Sequence, residues 1–159
     1  MSENFEFSTE RLTEYKELLT KYDDVESAIL PVLHLAQEQV GYLPDYVLEK
    51  IGQMMNVPTV KLKEVVSFYD MFYSEPTGRN IIQVCTNITC SMMGSRELYK
   101  GLLKEHKTTN MQPCDDGRLY FQKMECLGAC SDAPCMRVNN DYYGRINLDS
   151  ALKIIRVLR

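Results

Sequence analysis

Four of the six cysteines fall into two closely spaced pairs, and these pairs constrain the fold more than any other feature of the chain. Cys85 and Cys90, in "VCTNITC", form a C-x4-C pair, and Cys126 and Cys130, in "ECLGAC", form a C-x3-C pair. Thirty-five residues lie between the pairs, enough for a helix and a return strand. A fold that sets two such loops at neighbouring strand ends gathers four thiolates at one point, which suits a metal centre. Cys135 follows within "ECLGACSDAPC", so three cysteines crowd into ten residues. Spacing alone leaves Cys135 open as the fourth ligand, because Cys130 and Cys135 also read C-x4-C.

The x4 gap bears on which centre this is. Four-cysteine zinc sites more often use C-x2-C knuckles around one tetrahedral ion. A wider loop reaches around a larger object such as a 2Fe–2S cluster, and C-x4-C occurs in plant-type ferredoxins. The following C-x2-C step of that pattern is missing, so the plant-type ferredoxin fold is not expected. Disulfides need an oxidising compartment. The start, "MSENFEFSTE", has neither a basic nor an apolar segment of the secretory kind, so a reducing compartment is expected. Thioredoxin-type exchange chemistry would need C-x-x-C, which the chain lacks.

Around the cysteines the chain reads as two parts. "STERLTEYKELLTKY" spaces Leu12, Tyr15, Leu19 and Tyr22 as a helix, with Ser8 or Thr9 as N-cap. "DDVESAILPVLHLAQEQVGY" predicts a second helix capped by Asp23, stopped at Gly41 and kinked or split by Pro31. Pro44 and Pro58 open two more. "SEPTGRN" is the expected boundary, giving domains 1–75 and 76–159. After it, "RNIIQVC" reads as a strand, "SRELYKGLLKEH" as a helix with Leu98, Leu102 and Leu103 on one face, and "RLYFQKM" as a strand after a turn at Asp116–Gly117. "CMRVNNDYYGRIN" reads as a hairpin turning at Asn139–Asp141, and "LDSALKIIRVL" as a helix capped near Asn147 or Asp149. The fold class is α+β: a helical first part, then a compact α/β sandwich of order β-α-β-β-β-α, with room for one more short strand before Cys114.

Charge follows the same division. Residues 1–75 carry 6 Lys/Arg against 14 Asp/Glu, and residues 76–159 carry 12 against 8. All six cysteines lie in the basic part. No dense run of like charge appears, which argues against nucleic acid as a partner. No run of 18 apolar residues appears either, so no membrane insertion is expected. Without a Gly-rich phosphate loop, NAD, FMN and ATP are not expected to bind this chain. Gly128 and Ala129 leave backbone N–H groups free to approach sulfur. Met92 and Met93 read either as a screen over the site or as core packing. Arg96, Lys123 and Arg137 read as easing reduction or simply as solvated surface charge. His34 and His106 read as ordinary helical histidines.

These residues resemble a known family. "VCTNITC…MMG" and "ECLGACSDAPCMRVN" are similar to the signature of the small 2Fe–2S subunit of the NADH dehydrogenase module of respiratory complex I, the family of the NADH-quinone oxidoreductase E subunit. "AQEQVGYLP" and "SFYDMF" resemble its N-terminal helical region, so the likeness runs from about residue 28 to residue 150. Matched by motif position, Cys85, Cys90, Cys126 and Cys130 fall on the cluster ligands. Cys114 and Cys135 match none, and the residue after "AP" is commonly not cysteine in the family. Thr89 replaces a proline before the second cysteine, which changes loop stiffness and no ligand.

The resemblance implies a thioredoxin-like second domain and a helical bundle that grips a flavin-bearing partner. That partner would bind FMN and NADH, and other subunits of the peripheral arm would complete the assembly. The implied role is single-electron exchange by one 2Fe–2S cluster, in the cytoplasm or on the cytoplasmic face of the membrane. Equivalent subunits of NAD-linked hydrogenases and formate dehydrogenases share the pattern, and a four-cysteine zinc module shares the pair spacing.

Overall fold

A computed structural model describes residues 4–158. The chain divides into two compact units, one running through Pro76 and the other beginning at Thr77.

The first unit is helical: α1 (Thr9–Thr20), a 3-10 turn at Val25–Ala28, α2 (Ile29–Val40), α3 (Asp45–Met55) and α4 (Thr59–Phe68). Ser8 caps α1 by accepting the Arg11 N–H at 3.3 Å, satisfying one of the N–H groups a helix start leaves without partners. Pro31 neither kinks nor splits α2. It falls in the first turn, where a missing N–H costs no intrahelical bond. The irregularity lies earlier, in the 3-10 turn, which starts two residues past Asp23. Gly41 ends α2 at φ +93°, in the left-handed region that glycine enters without strain.

Val32, Leu33, Ala36, Leu43, Val47, Ile51 and Leu62 form the centre of this unit's core. The "AQ" and "DMF" elements meet there. The Gln37 side-chain amide donates to the Met71 carbonyl at 2.8 Å, and its oxygen accepts the Tyr73 N–H at 2.8 Å. The segment after α4 is thereby fastened along α2.

The second unit is built on a four-stranded sheet in the order β2-β1-β3-β4. Its strands are β1 (Asn80–Cys85), β2 (Leu119–Met124), β3 (Met136–Val138) and β4 (Asp141–Tyr143). The helices are α5 (Ile88–Met92), α6 (Ser95–Glu105) and α7 (Leu148–Arg156). β1 and β2 run parallel, joined by the crossover containing α5 and α6, whereas β1–β3 and β3–β4 are antiparallel. Ile82, Val84, Leu98, Leu102, Leu119, Phe121, Met136 and Ile155 fill the core. Gly78 leads into β1 so close to β2 that an added Cβ would stand 2.5 Å from the Leu119 backbone.

The stretch before Cys114 forms only an isolated bridge, Pro113 to Tyr120, and not another strand. α7 starts on a capping box, with Asn147 accepting the Ser150 N–H and the Ser150 hydroxyl accepting the Asn147 N–H.

Candidate metal centre

The site is set by the β1–β2 register. Cys85, the last residue of β1, is the Cα partner of Met124, the last residue of β2. Both strands therefore release their chains at the same end of the sheet, and Cys126 follows two residues later. The Thr86 N–H donates to the Met124 carbonyl at 2.8 Å, carrying the pairing one residue past the strand.

Beyond Thr86 the chain enters α5, where the pair spacing alone suggested a loop. Asn87 caps this helix, its side-chain oxygen accepting the Ile88 N–H at 2.8 Å. The asparagine in "TNITC" is the signal that marks this start. Cys90 lies inside α5 and is buried. Successive helical residues turn by about 100°, so an inward Cys90 turns Ile88 and Met92 outward. Ile88 is 75% exposed, Met92 82% and Met93 59%. The two methionines therefore pack into no core. The helix is braced by the Ser91 hydroxyl, which donates to the Thr86 carbonyl at 2.7 Å and accepts from Arg96 Nε at 3.0 Å.

The second pair is held differently. Cys126 and Cys130 are exposed, while Leu127 between them is buried and packs with Cys85, Cys90 and Cys135. Cys126 Sγ accepts the Gly128 N–H at 3.4 Å. A 3-10 turn at Cys130–Asp132 follows, and Arg145 closes it, its N–H donating to the Asp132 carbonyl at 2.7 Å and its Nε lying 3.1 Å from Asp132 Oδ1. Gly144 permits this closure, since a Cβ there would lie 2.5 Å from Asp132 Cβ.

Of the four cysteines singled out by motif, the structure brings Cys85 and Cys90 together with Cys135. Among the described residues these three sulfurs lie within 4.8 Å of one another, and Cys90 and Cys135 Sγ stand 3.8 Å apart. Cys126 and Cys130 lie outside that group. Cys114 is also apart from it, packed at the edge of the second unit's core. Among the described residues no histidine joins this group: His34 Nε2 lies 3.1 Å from Met71 Sδ, and His106 leans on Phe121.

The buried thiols differ in acidity. Burial pushes Cys85 upward, but hydrogen bonds from the backbone at Asn87 and Leu127, with help from the neighbouring thiols, outweigh it and leave Cys85 below the ordinary thiol value. Burial keeps Cys90 above that value. Burial, then the neighbouring Cys90, pushes Cys135 up to about 12. Cys85 is thus the sulfur of the group that backbone donors from both loops address.

No local sequence pattern announces the polar network on β1. Gln83 Nε2 donates to Gln122 Oε1 at 3.0 Å, and Arg137 Nε donates to Gln83 Oε1 at 2.8 Å. Arg137 is thus a fastened, partly buried cation in the sheet that carries Cys85. Arg96 and Lys123 remain exposed.

A sheet of this order with a cysteine loop at the end of each of two parallel strands defines a class, and the chain belongs to the thioredoxin-like 2Fe-2S ferredoxin family, whose model matches residues 15–159. Among individual proteins it is similar to the NADH-quinone oxidoreductase E subunit 2 of Rhizobium meliloti (strain 1021), 40% identical over 82% of this chain and 77% of that one. It is 36% identical to the NADH-quinone oxidoreductase E subunit of Rickettsia bellii (strain RML369-C), over 98% of this chain and 95% of that one. The corresponding E subunit of Aquifex aeolicus (strain VF5) is 36% identical over 87% of each chain. In fold, 80% of the chain superposes on an NAD+-reducing nickel–iron hydrogenase in its air-oxidised state, with a TM-score of 0.69 and 22% identity, and covers 22% of that hydrogenase chain.

The donor set fits a 2Fe–2S cluster. Thiolates are the ligands such clusters take, the structure gathers buried thiols at one sheet end, and backbone N–H groups already face the sulfurs of Cys85 and Cys126.

Proposed function

We propose that the chain is the electron-transfer subunit of an NADH-quinone oxidoreductase, holding one 2Fe–2S cluster on Cys85, Cys90, Cys126 and Cys130. The observation that carries this reading is the parallel register of Cys85 with Met124, which sends both cysteine loops out of one sheet end in a chain of this family. A bound cluster passes one electron at a time, whereas a hydride delivers two. The chain's own residues do the rest. Cys85 and Cys90 hold the inner side and, with Leu127, keep water from it. Cys126 and Cys130 hold the outer side, where a partner can approach. Arg137, tied to Gln83, keeps positive charge in the supporting sheet as negative charge accumulates.

The partner is a subunit that binds FMN and NADH, and other subunits of the peripheral arm complete the assembly. The helical unit, 1–75, grips that partner, while 76–159 carries the cluster. No helix among the described residues is long and apolar enough to cross a membrane. The place proposed for the chain is the peripheral arm, in the cytoplasm or on the cytoplasmic face of the membrane. The chain alone is not expected to oxidise NADH.

Iron and acid-labile sulfide on anaerobically purified protein, with an EPR spectrum after dithionite reduction, test the reading. About two irons, two sulfides and a rhombic signal per chain are expected. One zinc and no sulfide, persisting after reconstitution, would overturn it in favour of a structural zinc module.

A further inference from the structure

The three buried thiols form a more compact group than the proposed cluster ligands. A single tetrahedral ion with metal–sulfur bonds of about 2.3 Å sets its sulfurs about 3.8 Å apart. Cys90 and Cys135 stand at 3.8 Å, and Cys85 completes a set whose sulfurs all lie within 4.8 Å. A two-iron cluster asks for a different shape, because its ligands divide between two metals and one of any three must reach the far iron. The backbone fixes this triad from within, since the Cys85 N–H donates to the Cys135 carbonyl at 3.2 Å. Thiolate donors select soft or borderline cations.

We propose that Cys85, Cys90 and Cys135 form a single-ion site for a soft divalent cation of the zinc and cadmium type. The inference rests on the cluster reading in one respect: the ion and the cluster would share Cys85 and Cys90 and so exclude each other. Each thiol that binds gives up its proton to the buffer as the ion enters. Cys135 is then the residue that separates the two sites, required by the ion and not by the cluster.

Cadmium alone, titrated into the cluster-free full chain and followed by thiolate-to-metal absorption, tests the proposal. One cadmium per chain is expected. Uptake should survive alkylation of the exposed Cys126 and Cys130, and be lost in Cys135→Ser and Cys135→Ala. Loss on alkylation, or equal uptake in both Cys135 variants, would overturn it. The alkylated wild-type chain keeps the test decisive even where the Cys135 variants fold poorly. Bound cadmium should also block uptake of iron and sulfide, and simultaneous loading of both would sink the shared-site claim. Failure of the cadmium-free wild-type chain to take up iron and sulfide counts against the cluster reading alone and leaves the cadmium stoichiometry standing.

Discussion

Two loops of five or six residues carry the two cysteine pairs, and the fold treats them in opposite ways. Residues 85–90 run from a central strand into a capped helix, and both sulfurs are buried. Residues 126–130 form an irregular loop anchored by a single buried side chain, Leu127, with both sulfurs exposed. The first pair is part of the core, so protein packing fixes its geometry whether or not anything binds. The second is held at its margins, by β2 on one side and the Asp132–Arg145 closure on the other. A site built this way has a rigid half and an adaptable half.

The largest expected break in this comparison comes from the cysteines themselves. Cys90→Ser and Cys126→Ser should each abolish cluster loading, read as iron and sulfide per chain, yet differ in the cluster-free fold. Cys126→Ser should leave urea stability within about 0.5 kcal/mol, whereas Cys90→Ser places a hydroxyl in a buried thiol pocket at a cost of about 1–3 kcal/mol. Equal stability losses would erase the distinction between the halves.

Leu127→Ala comes next, since it removes the one apolar anchor of the outer loop. A loss of about 2 kcal/mol is expected, together with faster alkylation of Cys85 and Cys90. Unchanged labelling would mean that Leu127 does not seal the inner pair. Asn87→Ala removes the α5 cap and should cost about 1 kcal/mol, lowering iron retention while leaving the reactivity of Cys126 alone.

The smallest effect is alkaline. Tyr99 donates to Asn110 Oδ1 at 2.6 Å, and the same oxygen accepts the Lys123 N–H at 3.2 Å, tying down the strand that leads into the outer loop. Burial raises the Tyr99 hydroxyl well above its ordinary value. An acid raised in the folded state contributes stability that is intact below its unfolded value, about 10, and is lost as the pH climbs past it. Stability should therefore fall above pH 10, and Tyr99→Phe should flatten that fall. An unaltered alkaline slope in the variant would detach Tyr99 from it.

Much of this was legible in the residues. Short β-rich apolar runs in "NIIQVC" and "RLYFQKM" marked the two strands that set the site, and Asn147 and Gly41 marked helix ends. What escaped was tertiary. Pro31 reads as a breaker until its place in the first turn is known. Met92 and Met93 read equally as core or as a screen until the inward turn of Cys90 faces Met92 away. Spacing left Cys135 open as a ligand, but the β3–β1 pairing at Val84↔Met136 that seats it beside Cys85 and Cys90 is specified by no local pattern.

The parallel pairing of β1 with β2 also places a clock on the molecule. Strands that run the same way cannot meet through a tight turn, so residues 85 and 124 can come together only after the whole crossover between them has been made. A chain emerging from the ribosome exposes Cys85 and Cys90 long before their counterparts exist as neighbours. A site that draws on both pairs is therefore complete only once the second pair has been made and the crossover between them has closed.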